Sequence, residues 1–234
     1  KAPIAAIVFA VEIFSLELTL ASMIPLLLAS ISAVLTSYFF LGDEVLLHFE
    51  VSKSFELNDV IFYITLGLGC SLVSIYFTKV YFWFHDFFKK IENPWYKLLV
   101  GGSLIGVIVY FIPPLFGEGF ETINAVLRGD ASQILKNNIF NTEADTIWMI
   151  VGLLVGLILF KVIAMALTFG AGGIGGVFAP TLFIGSITGY VVAIIVNHIK
   201  IISHSVSQSN FAMVGMAGLM AGVLHAPLTA IFLI

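Results

Sequence analysis

Gly170-Ala171-Gly172-Gly173-Ile174-Gly175-Gly176-Val177-Phe178-Ala179-Pro180 is the stretch that decides how this chain is read. Five of its eleven residues are glycine, and a glycine inside a helix costs about 1 kcal/mol relative to alanine. No long helix is therefore expected to run through it. Yet apolar segments lie on both sides, Ile147–Leu167 and Thr181–Val196. Irregular backbone between apolar segments is tolerable only where it is buried in protein or lines a cavity. A helix then restarts with Pro180 in its first turn, where a missing N–H costs nothing. The N–H groups of that turn, those of Val177 and Phe178 among them, have no intrahelical partner and sit at the positive end of the helix dipole. Glycines that let a ligand reach the backbone, followed by a helix start, make a candidate anion site. The competing reading is that the glycines serve only close helix packing.

Composition sets the environment. The chain has 234 residues, of which 60% are hydrophobic and 10% charged, with a mean hydropathy of +1.10. Soluble domains carry about 25% charged residues, so a multi-pass integral membrane protein is expected. Its apolar runs are solid rather than alternating, which argues for helices and against a β-barrel. The net charge of −4 is set mostly by loops. The single cysteine, Cys70, lies in an apolar segment and reads as a small buried hydrophobe. His198 and His204 stand six apart in a polar loop and read as a solvated turn rather than a metal pair. No metal, cofactor or nucleic-acid partner is expected. Lys1 carries neither an initiator methionine nor a signal pattern, and Phe232-Leu233-Ile234 stop inside an apolar run. A piece of a longer chain is the expectation.

The segments can be threaded through a bilayer in order. Ala2–Val11 and Leu18–Phe40 read as two helices joined near Glu17, with Pro25 a kink near the start of the second. Gly42–Asp59 is polar. Val60–Phe88, extended to Lys90, makes about 45 Å of helix against a hydrocarbon core of about 30 Å, so tilt or protrusion is implied. Lys89, Lys90 and Lys97 flank the Asn93-Pro94 break and mark the cytoplasmic side. Residues 42–59 then fall outside. Leu98–Ile112 crosses outward to Pro113-Pro114, and Leu115–Asp145 reads as an outer linker with one or two short helices. Ile147–Leu167 crosses inward, Thr181–Val196 returns, Asn197–Ser209 is a polar loop containing Lys200, and Phe211–Leu224 is a short helix. Gly215, Gly218 and Gly222 in that helix favour tight contacts. Lys161 lies inside a spanning segment, which makes it a functional candidate. The plainer expectation is that it snorkels toward the inner face.

The two ends echo each other. Lys1-Ala2-Pro3-Ile4-Ala5-Ala6-Ile7 matches the pattern of His225-Ala226-Pro227-Leu228-Thr229-Ala230-Ile231. Counting crossings between the copies puts them in opposite orientations, the arrangement of an inverted-repeat transporter with its site at the middle.

Gly175-Gly176-Val177-Phe178-Ala179-Pro180 resembles the G-G-x-F-x-P signature of the CLC family of chloride channels and chloride/proton antiporters. Ala2 to Glu12 is similar to that family's A-P-x-A-G-x-x-F-x-x-E helix, with Ala6 for the glycine. Gly117-Glu118-Gly119-Phe120-Glu121 is similar to its G-x-G-Y-E stretch. Gly215-Met216-Ala217-Gly218 followed by Ala226-Pro227-Leu228-Thr229 is similar to its G-M-x-A and A-P-L-T helix pair, with Gly218 for the alanine.

The resemblance implies an all-α membrane protein, an inverted-repeat helical bundle with discontinuous, half-membrane helices. Residues 1–40 would close the first repeat, 41–59 form an external loop, and 60–234 make most of the second. It further implies chloride held at the backbone amides of Val177 and Phe178, approached past Gly175 and Gly176. It implies protons as a second transported ion in antiporters. There, a second acid follows the position of Glu12 and relays protons; Ile13 stands in its place and cannot titrate. A homodimer is implied, with Ala29 and Ile231 on its face, in the cell (inner or plasma) membrane. Channel and antiporter both stay open. The alternatives are an intramembrane enzyme, for which His225 has no acid or cysteine partner at ligand spacing, and a non-transporting CLC-like scaffold.

Overall fold

In a computed structural model, residues 3–15, 17, 19–43, 47, 56–129, 147–199 and 205–234 are described. Most of the segment expected as an external loop, the linker from 130 to 145, and Lys200 and His204 lie outside the described residues. Among the described residues the regular structure is helical, with no strand. The helices are α1 (Pro3–Phe14), α2 (Leu20–Leu41), α3 (Val60–Lys89), α4 (Pro94–Phe111), α5 (Phe120–Leu127), α6 (Ile147–Gly170), α7 (Phe178–Ile199), α8 (Gln208–Leu224) and α9 (Pro227–Leu233). Five helices, α2, α3, α4, α6 and α7, are long and apolar enough to cross a membrane. α1, with 12 residues, and α8, with 17, are apolar but shorter. At 1.5 Å per residue α1 reaches about 18 Å, roughly half a bilayer.

Local chemistry sets the helix ends. Thr19 and Ser22 form a capping box at α2: Thr19 Oγ1 accepts the Ser22 N–H at 3.3 Å, and Ser22 Oγ accepts the Thr19 N–H at 3.2 Å. α4 begins at Pro94 rather than at Leu98, where the apolar run starts. Asn93 Oδ1 accepts the Trp95 N–H at 2.9 Å, and Pro94 takes the first helical position. α7 begins three residues before Thr181. Ser207 caps α8 through a 3.2 Å bond from the Asn210 N–H. Ahead of it, Asn197 at the end of α7 bonds both backbone groups of Val206, at 3.1 and 2.8 Å, and so fixes the chain between the two helices.

α7 is the centre of the bundle. Every residue from Thr181 to Val191 is buried, with α5, α6 and α8 packed around it. Its buried Ser186 and Thr188 hydroxyls turn back on their own helix, to Phe183 O at 2.8 Å and Ile184 O at 2.7 Å, and the Tyr190 hydroxyl reaches Gly129 O at 3.3 Å. α7 and α8 meet backbone to backbone. A Cβ on Gly185 would stand 2.6 Å from Gly215 O, and one on Gly189 would overlap Phe211 O. On the other side of α8, Gly218 and Gly222 receive Cys70 and Ser74 of α3. Cys70 is buried there, and its thiol donates to Gly215 O at 3.7 Å.

Exposed aromatic residues gather at helix ends, where amphipathic rings favour a membrane–water boundary. Trp83, Phe87, Trp95 and Tyr96 surround the α3–α4 turn with Lys89 and Lys90. Trp148 meets His198 edge-on at 5.6 Å at the opposite end of α6.

The glycine contacts can be tested against each other. Overpacking a tight contact typically costs 1–3 kcal/mol, whereas replacing an unconfined helical glycine by alanine gains up to about 1 kcal/mol. Gly189→Ala should lower the midpoint of thermal unfolding in detergent. Gly152→Ala, with nothing within 4 Å of the added Cβ, should leave it unchanged or raise it. Equal midpoints would show that α7 and α8 are not locked at this crossing.

Candidate functional site

The glycine stretch builds the site in two steps. α6 first closes in a Schellman motif. Gly172 takes φ +91°, its N–H reaches Phe169 O at 3.0 Å, and the Gly173 N–H reaches Thr168 O at 2.9 Å. The carbonyls at the end of α6 are thereby satisfied, and the chain is released sideways. Residues 173–176 then run without regular structure into α7.

The first helical bond of α7 is from the Thr181 N–H to Val177 O, at 3.1 Å. Thr181 Oγ1 doubles it at 2.7 Å. The N–H groups of Val177, Phe178 and Ala179 precede that bond, and Pro180 has none to offer. These amides sit at the positive end of a 22-residue helix. From residue 162 to residue 197 the sequence holds no charged side chain and no histidine, so the polarity at this end comes from the backbone dipoles. Gly175 and Gly176 lie beside it. A Cβ on Gly176 would meet nothing within 4 Å, and one on Gly175 would only touch the Phe169 ring at 3.6 Å.

The sequence expects this loop to be buried in protein or to line a cavity. Gly172 to Gly176 are exposed, Ile174 fully so, while Val177 to Pro180 are half-buried. The described residues cover the site on one side only. On that side Phe178 meets Phe9 of α1 edge-on at 6.0 Å, and Phe169 meets Tyr81 of α3 at 6.0 Å.

Glu12, the residue tied to a proton path, has a definite set of partners. Its carboxylate accepts the N–H groups of Leu228 and Thr229, at 2.9 and 2.8 Å, and the Thr229 hydroxyl at 2.7 Å. α9 starts with Pro227 after Ala226, and Ala226 has no side-chain oxygen to cap it. Glu12 supplies that acceptor from another helix, with its negative charge at the positive helix end. The last turn of α1 thus lies against the first turn of α9. Ile13 is 38% exposed and takes no part in this contact.

Lys161 corrects an expectation. It does not snorkel: it is 3% exposed. Its Nζ donates to Leu115 O at 3.1 Å and Gly117 O at 2.8 Å, and lies 4.6 Å from the centroid of the Phe183 ring. The segment after α4, expected as an outer linker with one or two short helices, holds the 3-10 turn Pro113–Leu115 and α5, and its Leu115 and Gly117 carbonyls meet a residue well inside α6. The signal was available. Pro113-Pro114 and Gly117-Glu118-Gly119 break the helix and leave carbonyls unpaired, and a buried lysine is a donor able to serve them.

The residues expected on a dimer face, Ala29 and Ile231, are both exposed, Ile231 to 71%. His225, the candidate for the enzyme reading, is an exposed residue closing α8 in the left-handed region, at φ +57°. No group of three or more His, Cys, Asp or Glu residues able to hold a metal occurs among the described residues.

Comparison with known proteins adds an independent line. The family model described as voltage gated chloride channel matches residues 1–234. A putative chloride channel protein, ClcB-like, from Ralstonia nicotianae is 29% identical, covering 100% of this chain and 50% of its own length. The H(+)/Cl(-) exchange transporter ClcA of Yersinia pestis is 27% identical, covering 100% of this chain and 46% of its own. An uncharacterized protein of Methanocaldococcus jannaschii is 26% identical, with 97% and 52% covered. The chain spans about half the length of the curated relatives it matches.

Proposed function

The chain belongs to the voltage-gated chloride channel family, and we propose that it forms one wall of a transmembrane chloride path, with the anion held at the amides of Val177 and Phe178. The observation that carries this is the start of α7: N–H groups ahead of the first helical bond, at the positive end of a helix, in a stretch with no charged side chain. Backbone dipoles bind an anion without the deep well that a paired ammonium or guanidinium would create, and so allow it to leave again. Gly175 and Gly176 keep side chains out of the approach. The exposed side of the loop is where the remainder of a longer protein would close the path. The names of the relatives, a channel and an exchanger, give the enzyme reading of His225 no support.

Proton movement is the second part of the proposal. Ile13 cannot carry a proton, and the Glu12 carboxylate is occupied by three donors from α9. We propose that Glu12 is a cap in this protein and that coupling of protons to chloride is weak. We propose also that a second copy packs on α1, α2 and α9 in the bilayer, through shape and dispersion.

Three measurements test these readings on the full-length protein. A bromide-soaked crystal should show anomalous density within hydrogen-bonding distance of the Val177 and Phe178 amides; an empty site in an otherwise ordered map would count decisively against it. In liposomes with a chloride gradient, proton uptake should be small and should rise in Ile13→Glu; tight fixed-ratio exchange by the unaltered protein would sink the coupling reading. Cross-linking in membranes should trap a dimer that Ala29→Trp or Ile231→Trp loosens, and only monomer from the parent would end the dimer proposal.

A further inference from the structure

Lys161 is a buried charge that the proposed path does not use. Placing an ammonium inside a membrane helix is costly unless its donors are satisfied. Here all three directions of the ammonium are taken up. Two N–H groups point at Leu115 O and Gly117 O, and the third side faces the Phe183 ring. Among the described residues no carboxylate lies within ion-pair distance of it. The carbonyls it serves belong to the elbow between α4 and α5, the 3-10 turn Pro113–Leu115 and the bends that follow to Gly119. Those groups have no helix of their own to bond.

The elbow leans on the same ring. Gly119 caps α5 at φ +84°, and a Cβ there would run into Phe183. Phe183 is completely buried, held between the glycine of the elbow and the ammonium of Lys161. It sits on α7 five residues after Phe178, about 8 Å further along the axis. A ring clamped on two sides fixes both the rotation and the axial position of the helix that carries it. The start of α7, where the anion is placed above, is set by that position.

We propose that Lys161 is a positioning residue for the anion site: by tying down the Pro113–Gly119 elbow it clamps Phe183 and holds the first turn of α7 in register. The role rests on the anion-site reading. It is also distinct from a charge acting on the ion at a distance, because it depends on the elbow as much as on the ammonium.

The test uses the full-length protein, with two readouts. Chloride flux in liposomes gives the half-saturating concentration, and hydrogen–deuterium exchange reports on the elbow and on residues 178–183 without any anion present. Lys161→Met should speed exchange in both segments. It should also raise the half-saturating chloride concentration about tenfold or more, since small misplacements of a binding group carry large penalties. Lys161→Arg, which keeps donors for both carbonyls, should stay close to the parent. Gly119→Ala, with Lys161 in place, should reproduce both effects, and it carries the test alone if Lys161→Met does not fold. A silent Gly119→Ala, or a Lys161→Met that lowers the maximal rate with half-saturation and exchange unchanged, would overturn the proposal in favour of charge alone. A parent with no saturable chloride dependence, whose Lys161→Met elbow still exchanges faster, would instead overturn the anion reading and the positioning role with it, leaving only a structural clamp.

Discussion

The close approach of α7 and α8 is the constraint on which the rest depends. With Gly185 and Gly189 on one helix and Gly215 on the other, the two backbones touch, and no side chain can be inserted between them. In a bilayer there is little hydrophobic gain in bringing apolar helices together, so contact of this kind and the polar bonds around it must hold the bundle. The crossing buries the middle of α7 on all sides. What remains near the surface is its first turn. A helix whose body is locked and whose positive end is left uncovered is a rigid mount for a set of amide groups.

The same physics appears at two other points, where orphan backbone groups are matched by side chains from elsewhere in the chain. α9 lacks a capping side chain of its own, and Glu12 provides one from 217 positions away. The elbow after α4 leaves carbonyls unpaired, and Lys161 reaches them from α6. In water each of these groups could have been left to solvent. In hydrocarbon each missing bond would cost several kcal/mol, so the chain carries a charged residue at each place, of opposite sign because the orphans differ: amides for Glu12, carbonyls for Lys161.

How legible was this in the sequence? The spans were, because membrane helices are written in composition: α3 begins and ends within a residue or so of its apolar run. The break at Gly170–Pro180 was legible through its glycines, and the tight packing of α8 through Gly215, Gly218 and Gly222. The start of α4 was misjudged by four residues. Asn93-Pro94 starts that helix by capping, which a hydropathy pattern does not register. The placement of Lys161 was misread, since a lysine in an apolar run says nothing by itself of which carbonyls await it. Glu12 likewise showed its charge and not its partners, which come from the far end of the chain. The exposure of residues 172–176 could not be inferred from periodicity, because it depends on which surfaces the described residues leave uncovered.

A recognition surface made of main-chain amides, as proposed here for chloride, has a consequence for which substitutions this protein can accept. An ion held at the proposed amides would feel the side chains of Ile174 and Val177 little, whereas Gly175 and Gly176 stay constrained because a side chain there would stand in the approach. Substitutions that would shift those amides lie further in, at the glycines of the helix crossing and at the ring of Phe183. Under the proposed reading the ion's preference would be set by the scaffold behind the amides rather than by any side chain that touches it.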